Sequence, residues 1–241
     1  MPSDTPLTPQ SLDASFSLPP GRVLDICVRL QNAILAQRLK PGAKLSEDEV
    51  GEIFSSSRTV IRAALQALAH TGLVEIKKNR GAYVAKPTII NAHEVFEART
   101  LIEPEVTRRA AKNITAEDLK KLTKHIEAEH LALASNDISK ALALSGIFHI
   151  AIANIASHAV YSNIVQSLIT QSSLIIALYA KRPDTACESH SHAALLEAFS
   201  KGDGEAAAAI MQSHLVDLHS GLNLRTLPVE QPSLAKALAG I

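Results

Sequence analysis

Apolar residues recur every three or four positions along most of the chain, which is the spacing of amphipathic helices. Between residues 23 and 39 this spacing predicts a first helix, which ends before a turn at Pro41 and Gly42. Ser46 then opens a second helix. Glu49, three residues later, predicts a capping box at the start of that helix.

The next segment changes from helical to extended spacing. Ser57 is placed to cap a third helix that runs to about Ala69. The stretch "GLVEIKKNRGAYVAKP" follows as two short strands around Asn79, Arg80 and Gly81, where the glycine permits a positive φ in the turn. Helices followed by a two-stranded hairpin indicate a winged helix-turn-helix.

The remainder of the chain is predicted to be helical almost throughout, so the fold class is mainly α. The predicted helices cover residues 92–112, 115–134, 136–155, 158–180, 187–201 and 203–222. The predicted organisation is a flexible arm (1–20), a winged helix-turn-helix domain (21–87), an all-α helical bundle (88–225) and a tail (226–241).

Composition agrees with helices packed by aliphatic side chains, because 46% of the 241 residues are hydrophobic and only 3% are aromatic. The formal net charge is zero, but its distribution is uneven. Residues 22–86 hold 11 Lys and Arg against 6 Asp and Glu, whereas residues 87–241 hold 13 against 16. A basic first part predicts a polyanionic partner for that part only.

Cysteine content and hydropathy bear on the compartment. Cys27 and Cys187 fit no metal or redox spacing and are predicted to be buried, reduced thiols. The polar, Pro- and Ser-rich N-terminus lacks the apolar core of a secretory leader. The sequence has no run of about 18 apolar residues, so no membrane span is predicted. The expectation is a soluble, cytoplasmic protein with no membrane partner.

The third predicted helix has two faces. At 100° per residue, one arc holds apolar side chains and the neighbouring arc holds Arg58, Thr59, Arg62 and Gln66. Arginine can bind phosphates or the guanine edge in the major groove. Wing cations could reach adjacent phosphates or the minor groove. These wing residues are Lys77, Lys78, Arg80 and Lys86.

The segment "LKPGAKLSEDEVGEIFSSSRTVIRAALQALAHTGLVEIKKNRGAYV" resembles the winged-helix reader of the GntR family of bacterial transcription regulators. The resemblance implies that Arg58, Thr59 and Arg62 contact DNA, with Arg80 and Gly81 at the wing tip. The chain departs from the family pattern at Ser55-Ser56, where Gly-Val is usual, and at Ala63, where Glu is common. It retains the cations, so only the operator preference is affected.

Histidine is the most informative residue type in the second half. His149, His190, His192, His214 and His219 lie on predicted helices. Three neutral imidazoles that meet inside a helical bundle can bind Zn²⁺, Ni²⁺ or a similar ion. The alternative is that each histidine is a surface residue or a hydrogen-bonded core residue.

Residues 92–222 resemble the FCD domain, the all-helical effector domain of the FadR-type subgroup of the same family. The matching segments are "FEARTLIEPEVTRRAA", "FH-x-A-I-A" and "H-x-A-[IL]-L-E-A…GD…A…M-x-x-H". The resemblance implies a metal site of His149, His192 and His214, with an Asp four residues before the first histidine. Ser145 occupies that position, which removes one negative charge from the site. The alternative is that the histidines hydrogen-bond within a polar cavity or bind an anion without metal.

Arg99 matches a family position that faces the effector pocket. A buried arginine needs an anionic partner, and a carboxylate metabolite would supply one. The resemblance therefore implies effector-binding residues Arg99, Ser145, His149, His192 and His214. For Arg99 the alternative is a salt bridge to Glu103, one helical turn away.

These features together predict a homodimeric DNA-binding regulator, a repressor relieved by a small anionic metabolite, that reads an inverted repeat in double-stranded DNA. Two alternatives remain open. The metal ion itself could be the signal, or the histidines could activate water in a metal-dependent hydrolase. Against the hydrolase, the sequence shows no evident general base beside the histidines, and an enzyme would leave the basic winged helix unexplained.

Overall fold

The computed structural model describes residues 21–35, 38–181 and 189–224, and these residues form two large hydrophobic cores and one small cluster. The predicted flexible arm, Cys187 and nearly all of the predicted tail lie outside these residues. The first core belongs to the winged unit. Its elements are α1 (Arg22–Leu35), β1 (Lys44–Leu45), α2 (Glu47–Ile53), α3 (Arg58–His70), β2 (Val74–Lys77) and β3 (Gly81–Val84).

The second core belongs to the helical unit, which follows the winged unit in sequence. Its elements are α4 (Ile89–Asn113), α5 (Ala116–Ala134), α6 (Ile138–Ile155), α7 (Ala159–Tyr179), α8 (Ser189–Ser200) and α9 (Gly204–Ser220). All six helices were predicted from apolar spacing, and the predicted ends lie within a few residues of these bounds.

The predicted two-stranded wing is confirmed as β2 and β3, and a third strand, β1, which was not predicted, extends the sheet. The strand order is β1-β3-β2 with antiparallel pairs, and Lys44 lies opposite Tyr83. The strand β1 contains two residues, which is too short to display the alternation that identifies a strand in sequence.

The predicted helix starts are correct in position, but the predicted capping interactions are absent. Ser46 and Ser57 precede α2 and α3, and neither side chain makes a capping hydrogen bond, so the capping box of Ser46 with Glu49 was wrong. Capping boxes occur instead at the starts of the helical unit's α4 and α5. They pair Thr88 with Asn91 and Thr115 with Asp118, where the third position is not the usual Glu or Gln.

The first helix ends earlier than its apolar spacing predicts. The described part of α1 ends at Leu35 rather than at residue 39, and Leu39 lies in a bend. Leu39 is nevertheless buried, and its backbone N–H donates to the Ala33 carbonyl at 3.0 Å. Its apolar character therefore reflects burial in the winged core rather than continuation of the helix.

One described helix, α6, is long and apolar enough to cross a membrane, contrary to the expectation from the sequence. It is also the central helix of the bundle, in contact with α4, α5 and α7, and more than half of it is buried. Its apolar composition is therefore that of a core helix.

The helix α7 contacts both units. Leu174 is buried in the winged core, whereas its neighbour Ile175 is buried in the helical core. The Tyr179 hydroxyl donates to the Pro87 carbonyl at 2.8 Å, in the segment that joins the two units. The winged unit is thus packed directly on a helix of the bundle.

Candidate functional site

The outward face of α3 carries the predicted DNA-reading side chains. Arg58, Thr59, Arg62 and Gln66 are exposed, as predicted. The opposite face is buried in the winged core through Ile61, Ala64, Leu65 and Leu68. This division places two long cationic side chains at the surface of a short helix, as major-groove reading requires.

Both arginines on this face are paired with acidic residues of α2. The Arg58 Nε lies 2.6 Å from Asp48 Oδ1. Arg62 donates twice to Glu47, from Nε at 3.0 Å and from Nη2 at 2.8 Å. The hydrogen bond from Arg62 lowers the pKa of the Glu47 carboxyl. The acidic first turn of α2 is therefore paired with both arginines at the protein surface.

The wing presents its cations at an exposed tip. Lys77, Lys78, Arg80 and Gly81 are all exposed, and Lys86 is exposed just beyond β3. Gly81 has a φ of +92°, as the predicted turn requires, and a Cβ there would meet no atom within 4 Å. The wing tip can therefore approach another molecule closely.

The histidines selected in the sequence meet inside the helical unit. His149 of α6, His192 of α8 and His214 of α9 are buried, and one ring nitrogen of each lies within 4.8 Å of the others. The Nε2 atoms of His149 and His214 are 3.3 Å apart. Two nitrogen ligands of a tetrahedral Zn²⁺ would be about 3.4 Å apart, so this spacing fits a metal site.

Two buried carboxylates bind the far sides of these rings. Glu103 Oε2 lies 2.6 Å from Nδ1 of His149, and Glu129 Oε2 lies 2.9 Å from Nδ1 of His192. Glu103 and Glu129 lie on helices other than those of the histidines and far from them in sequence, so neither acid was predicted to lie beside the rings. Their only signal was an acidic residue at a position where helical spacing predicts burial.

The protonation states in this cluster follow from burial and pairing. Burial lowers the pKa of His149 despite the nearby Glu103 carboxylate. Burial and the other two imidazoles lower the pKa of His214 well below its ordinary value. Burial alone would raise the pKa of Glu103, but Arg99 and His149 outweigh it and lower this pKa to about 2. His149 and His214 are therefore neutral at pH 7, as metal ligands must be.

Arg99 lies in the same network. Its Nε donates to Glu103 Oε1 at 2.5 Å, so the salt bridge considered as an alternative is present. Its Nη1 also donates to Ser172 Oγ of α7 at 3.0 Å, and the side chain is 2% exposed. Its Nη2 also lies 3.4 Å from Nδ1 of His149, and these three contacts occupy only part of the five N–H donors of a guanidinium group.

The residues present fit a divalent ion with three imidazole ligands. The Nε2 of His192 is buried and makes no hydrogen bond, although an imidazole nitrogen in a dry interior normally has a partner. Ser145 is buried on α6, one turn before His149. Its hydroxyl is a weak ligand, so the three histidines would hold the ion and leave a coordination position open.

Comparison with known proteins identifies the family. Residues 94–217 match the FCD domain, and residues 23–84 match the "Bacterial regulatory proteins, gntR family" domain. The chain belongs to the GntR family. It falls in the FadR-type subgroup, in which the winged-helix domain is followed by an FCD domain, and it is a transcription regulator rather than an enzyme.

Similar GntR-family proteins include the galactonate operon transcriptional repressor of Escherichia coli K12. It is 30% identical over 214 residues, which cover 76% of this chain and 88% of that protein. The transcriptional repressor RspR of the same organism is 27% identical over 192 residues, covering 78% and 83%.

Solved structures agree on the fold. A transcriptional regulator GntR from Rhodococcus sp. RHA1 has a TM-score of 0.71 at 22% identity, covering 83% of this chain and 96% of that chain. The E. coli McbR/YncC structure has a TM-score of 0.71 at 21% identity, covering 84% and 99%.

Proposed function

We propose that this GntR-family regulator is a cytoplasmic homodimeric repressor, released from an inverted-repeat DNA operator by a small anionic metabolite. The metabolite, a carboxylate, binds in the helical unit beside a divalent ion, Zn²⁺ or a similar metal such as Ni²⁺. The observation that carries this proposal is the buried cluster of three imidazoles, two of which bind a carboxylate through Nδ1, with Arg99 paired to one of those carboxylates.

The DNA contacts are proposed for both parts of the winged unit. On α3 they are Arg58, Thr59, Arg62 and Gln66. On the wing they are Lys77, Lys78, Arg80 and Gly81. Exposure of all eight residues on one unit supports this assignment. A homodimer would present two such surfaces to two half-sites.

The effector contacts are proposed for Arg99, Ser145, His149, His192 and His214. A divalent ion held by the three imidazoles would supply an open position for a carboxylate oxygen. The remaining N–H groups of Arg99 would favour the same anion. One similar repressor is named for the galactonate operon, and because galactonate is a sugar acid this name supports a carboxylate as the effector class.

Control of DNA binding requires the effector to prefer one arrangement of the two units. A coupling free energy of about 1–3 kcal/mol would change operator affinity roughly 5- to 150-fold. The helix α7 is a suitable connection, because Ser172 binds Arg99 while Leu174 is buried in the winged core.

A second candidate has the metal ion as the signal, and it is supported by the histidine cluster alone. In this case removal of the ion by a chelator changes operator affinity without any organic ligand. The hydrolase considered from the sequence is not supported, because the family members are regulators. In addition, Glu103 and Glu129 are occupied by histidine Nδ1 atoms.

The DNA part is tested by replacing Arg62 with alanine. We expect affinity for a duplex selected from random DNA to fall by about 1–3 kcal/mol, or roughly 5- to 150-fold, since one bidentate contact is removed. The measurement is fluorescence anisotropy at several salt concentrations. Arg109→Ala, which removes an exposed arginine of the helical unit, is the matched control and should bind as the wild type does. Equal affinity of both variants would contradict the assignment.

The effector part is tested by native mass spectrometry before and after chelation. A dimer with a removable metal, and with an acid that leaves with it, would support the proposed site. A dimer that takes up neither Zn²⁺ nor Ni²⁺ would contradict the metal, and Arg99 would then be the centre of a metal-free anion site. If the protein binds metal but its DNA affinity is the same before and after the metal is removed, the metal-signal alternative is excluded.

A further inference from the structure

The two carboxylates of the histidine cluster determine which ring nitrogen carries hydrogen. Glu103 forms a buried ion pair with Arg99, whose Nε lies 2.5 Å from Glu103 Oε1, and an ionised carboxylate can only accept hydrogen bonds. The proton in the 2.6 Å contact therefore lies on Nδ1 of His149, and the lone pair of this neutral ring lies on Nε2. That lone pair points into the cluster, towards Nε2 of His214.

The same arrangement recurs on a different pair of helices. Nδ1 of His192 on α8 lies 2.9 Å from Glu129 Oε2 on α5, and both side chains are fully buried. With the proton on Nδ1, the Nε2 atom of His192 presents a lone pair with no hydrogen-bond donor opposite it. Two independent acid–histidine pairs thus leave two Nε2 lone pairs in one cluster.

Charge gives a second reason for these pairs. Ser145 is buried on α6 one turn before His149, and its neutral hydroxyl adds no negative charge to the site. Glu103 and Glu129 place negative charge one imidazole ring away, and a carboxylate on Nδ1 raises the basicity of Nε2. The basicity of the remaining ligands then compensates for the weak ligand.

We propose that Glu103 and Glu129 are positioning residues of the metal site, which lock His149 and His192 as Nε2 ligands and compensate for the serine at position 145. This proposal rests on the metal site proposed above. It adds that binding strength depends on two acids that do not touch the ion.

Glu129→Gln is the primary test, because Glu103 also pairs with Arg99 and its replacement would leave a buried arginine uncompensated. The purified, full-length protein is loaded with Co²⁺, and its affinity is measured by competition with a chelator between pH 6 and pH 8. The position of the Co²⁺ absorption bands is recorded at the same time. Glu127→Gln, an exposed change on the same helix, is the matched control.

We expect Glu129→Gln to bind Co²⁺ about 10- to 100-fold more weakly, with shifted absorption bands and a changed pH profile. Glu129→Asp should recover part of the affinity, and Glu127→Gln should equal the wild type. If the wild type binds Co²⁺ and Glu129→Gln binds equally well, the positioning role is overturned and the metal site stands. If the wild type binds no Co²⁺, the metal site itself is overturned.

A measurement on the unaltered protein covers the case in which the variant does not fold. Nitrogen-15 NMR of the metal-free wild type should show that His149 and His192 each carry a proton on Nδ1. Rings protonated on Nε2 would overturn the proposal, because neither carboxylate would then accept from Nδ1.

Discussion

At the scale of single residues, the buried charges of Arg99 and Glu103 are tolerated because each is paired with the opposite charge. Arg99 and Glu103 are both 2% exposed, and they form an ion pair along one face of α4. The same helix carries an exposed pair with the same spacing, Glu105 with Arg109. Breaking a buried pair leaves an uncompensated charge in the interior, whereas an exposed charge is solvated by water.

This contrast predicts different costs for the same substitution. Arg99→Met should lower the free energy of unfolding by about 3–5 kcal/mol. Arg109→Met should lower it by less than about 1 kcal/mol. Urea denaturation of both variants measures the difference, and equal midpoints would show that the buried pair is not a significant part of the folding energy.

The buried imidazoles predict how stability depends on pH. The pKa values of His149 and His214 are lowered in the folded state, chiefly by burial, so the unfolded chain binds protons at a higher pH than the folded chain does. Their contribution is complete above about pH 6.5 and decreases as pH falls below it, by up to about 1.4 kcal/mol per pH unit for each ring.

We therefore expect the unfolding midpoint of the metal-free protein to decrease as the pH is lowered from 7.5 to 5.5. His214→Asn should show a shallower fall over the same range. The stabilisation from Glu103 is complete above its ordinary pKa of 4.5 and is lost only as pH falls towards its lowered pKa of about 2, so it stays constant between pH 7.5 and pH 5.5. An unfolding midpoint that rises on acidification would contradict the assigned neutral states.

At the scale of elements, the turn after α3 contacts the bundle closely. Gly72 has a φ of +79°, and a Cβ there would lie 3.0 Å from Cγ of Gln171 on α7. Gly81 at the wing tip also has a positive φ, but a Cβ there would meet nothing. The two glycines share the backbone requirement and differ in the contact with α7.

This comparison predicts that Gly81→Ala costs about 1–2 kcal/mol through backbone strain alone. Gly72→Ala should cost more, because its methyl group also displaces Gln171. Combining Gly72→Ala with Gln171→Ala should reduce the cost to that of Gly81→Ala. Thermal unfolding of the wild type, the two single variants and the double variant measures this coupling, with Gly81→Ala as the reference. If Gln171→Ala does not reduce the destabilisation caused by Gly72→Ala, the contact between this turn and α7 is not the cause of the extra cost.

The elements that apolar spacing predicts are those whose spacing extends over several turns. The six long helices of the bundle were found in this way, whereas β1 has only two residues and was missed. The spacing also placed the outward face of α3 correctly. The buried site was harder to predict, because spacing indicates burial but not which buried side chains meet. His149, His192 and His214 were selected by family resemblance. The contacts of Glu103 and Glu129 with these histidines became visible only when the helices were packed.

At the scale of the whole molecule, one helix belongs to two cores. Leu174 and Ile175 are neighbours on α7 and are each 1% exposed, yet one is buried in the winged core and the other in the helical core. The helix α7 therefore contributes buried side chains to the cores of both units.

Alanine at each position should separate the two units experimentally. Leu174→Ala should cost about 2–5 kcal/mol and increase hydrogen exchange in α1 and α3, with Co²⁺ binding unchanged. Ile175→Ala should cost a similar amount but increase exchange in α4 and α6. If both variants loosen both units equally, the molecule unfolds as one cooperative block and α7 does not divide it.

The carboxylates that hold Arg58 and Arg62 have a consequence for how the protein finds its operator. If these arginines contact DNA as proposed, each must leave an acid of α2 or share it, so binding is an exchange of partners rather than the capture of a free cation. On DNA of random sequence, an arginine that leaves its acid gains only a contact with phosphate. On an operator it also gains contacts with base edges. The ion pairs should therefore shorten the time spent on random DNA and leave more molecules free to sample the genome, where non-specific sites are in vast excess.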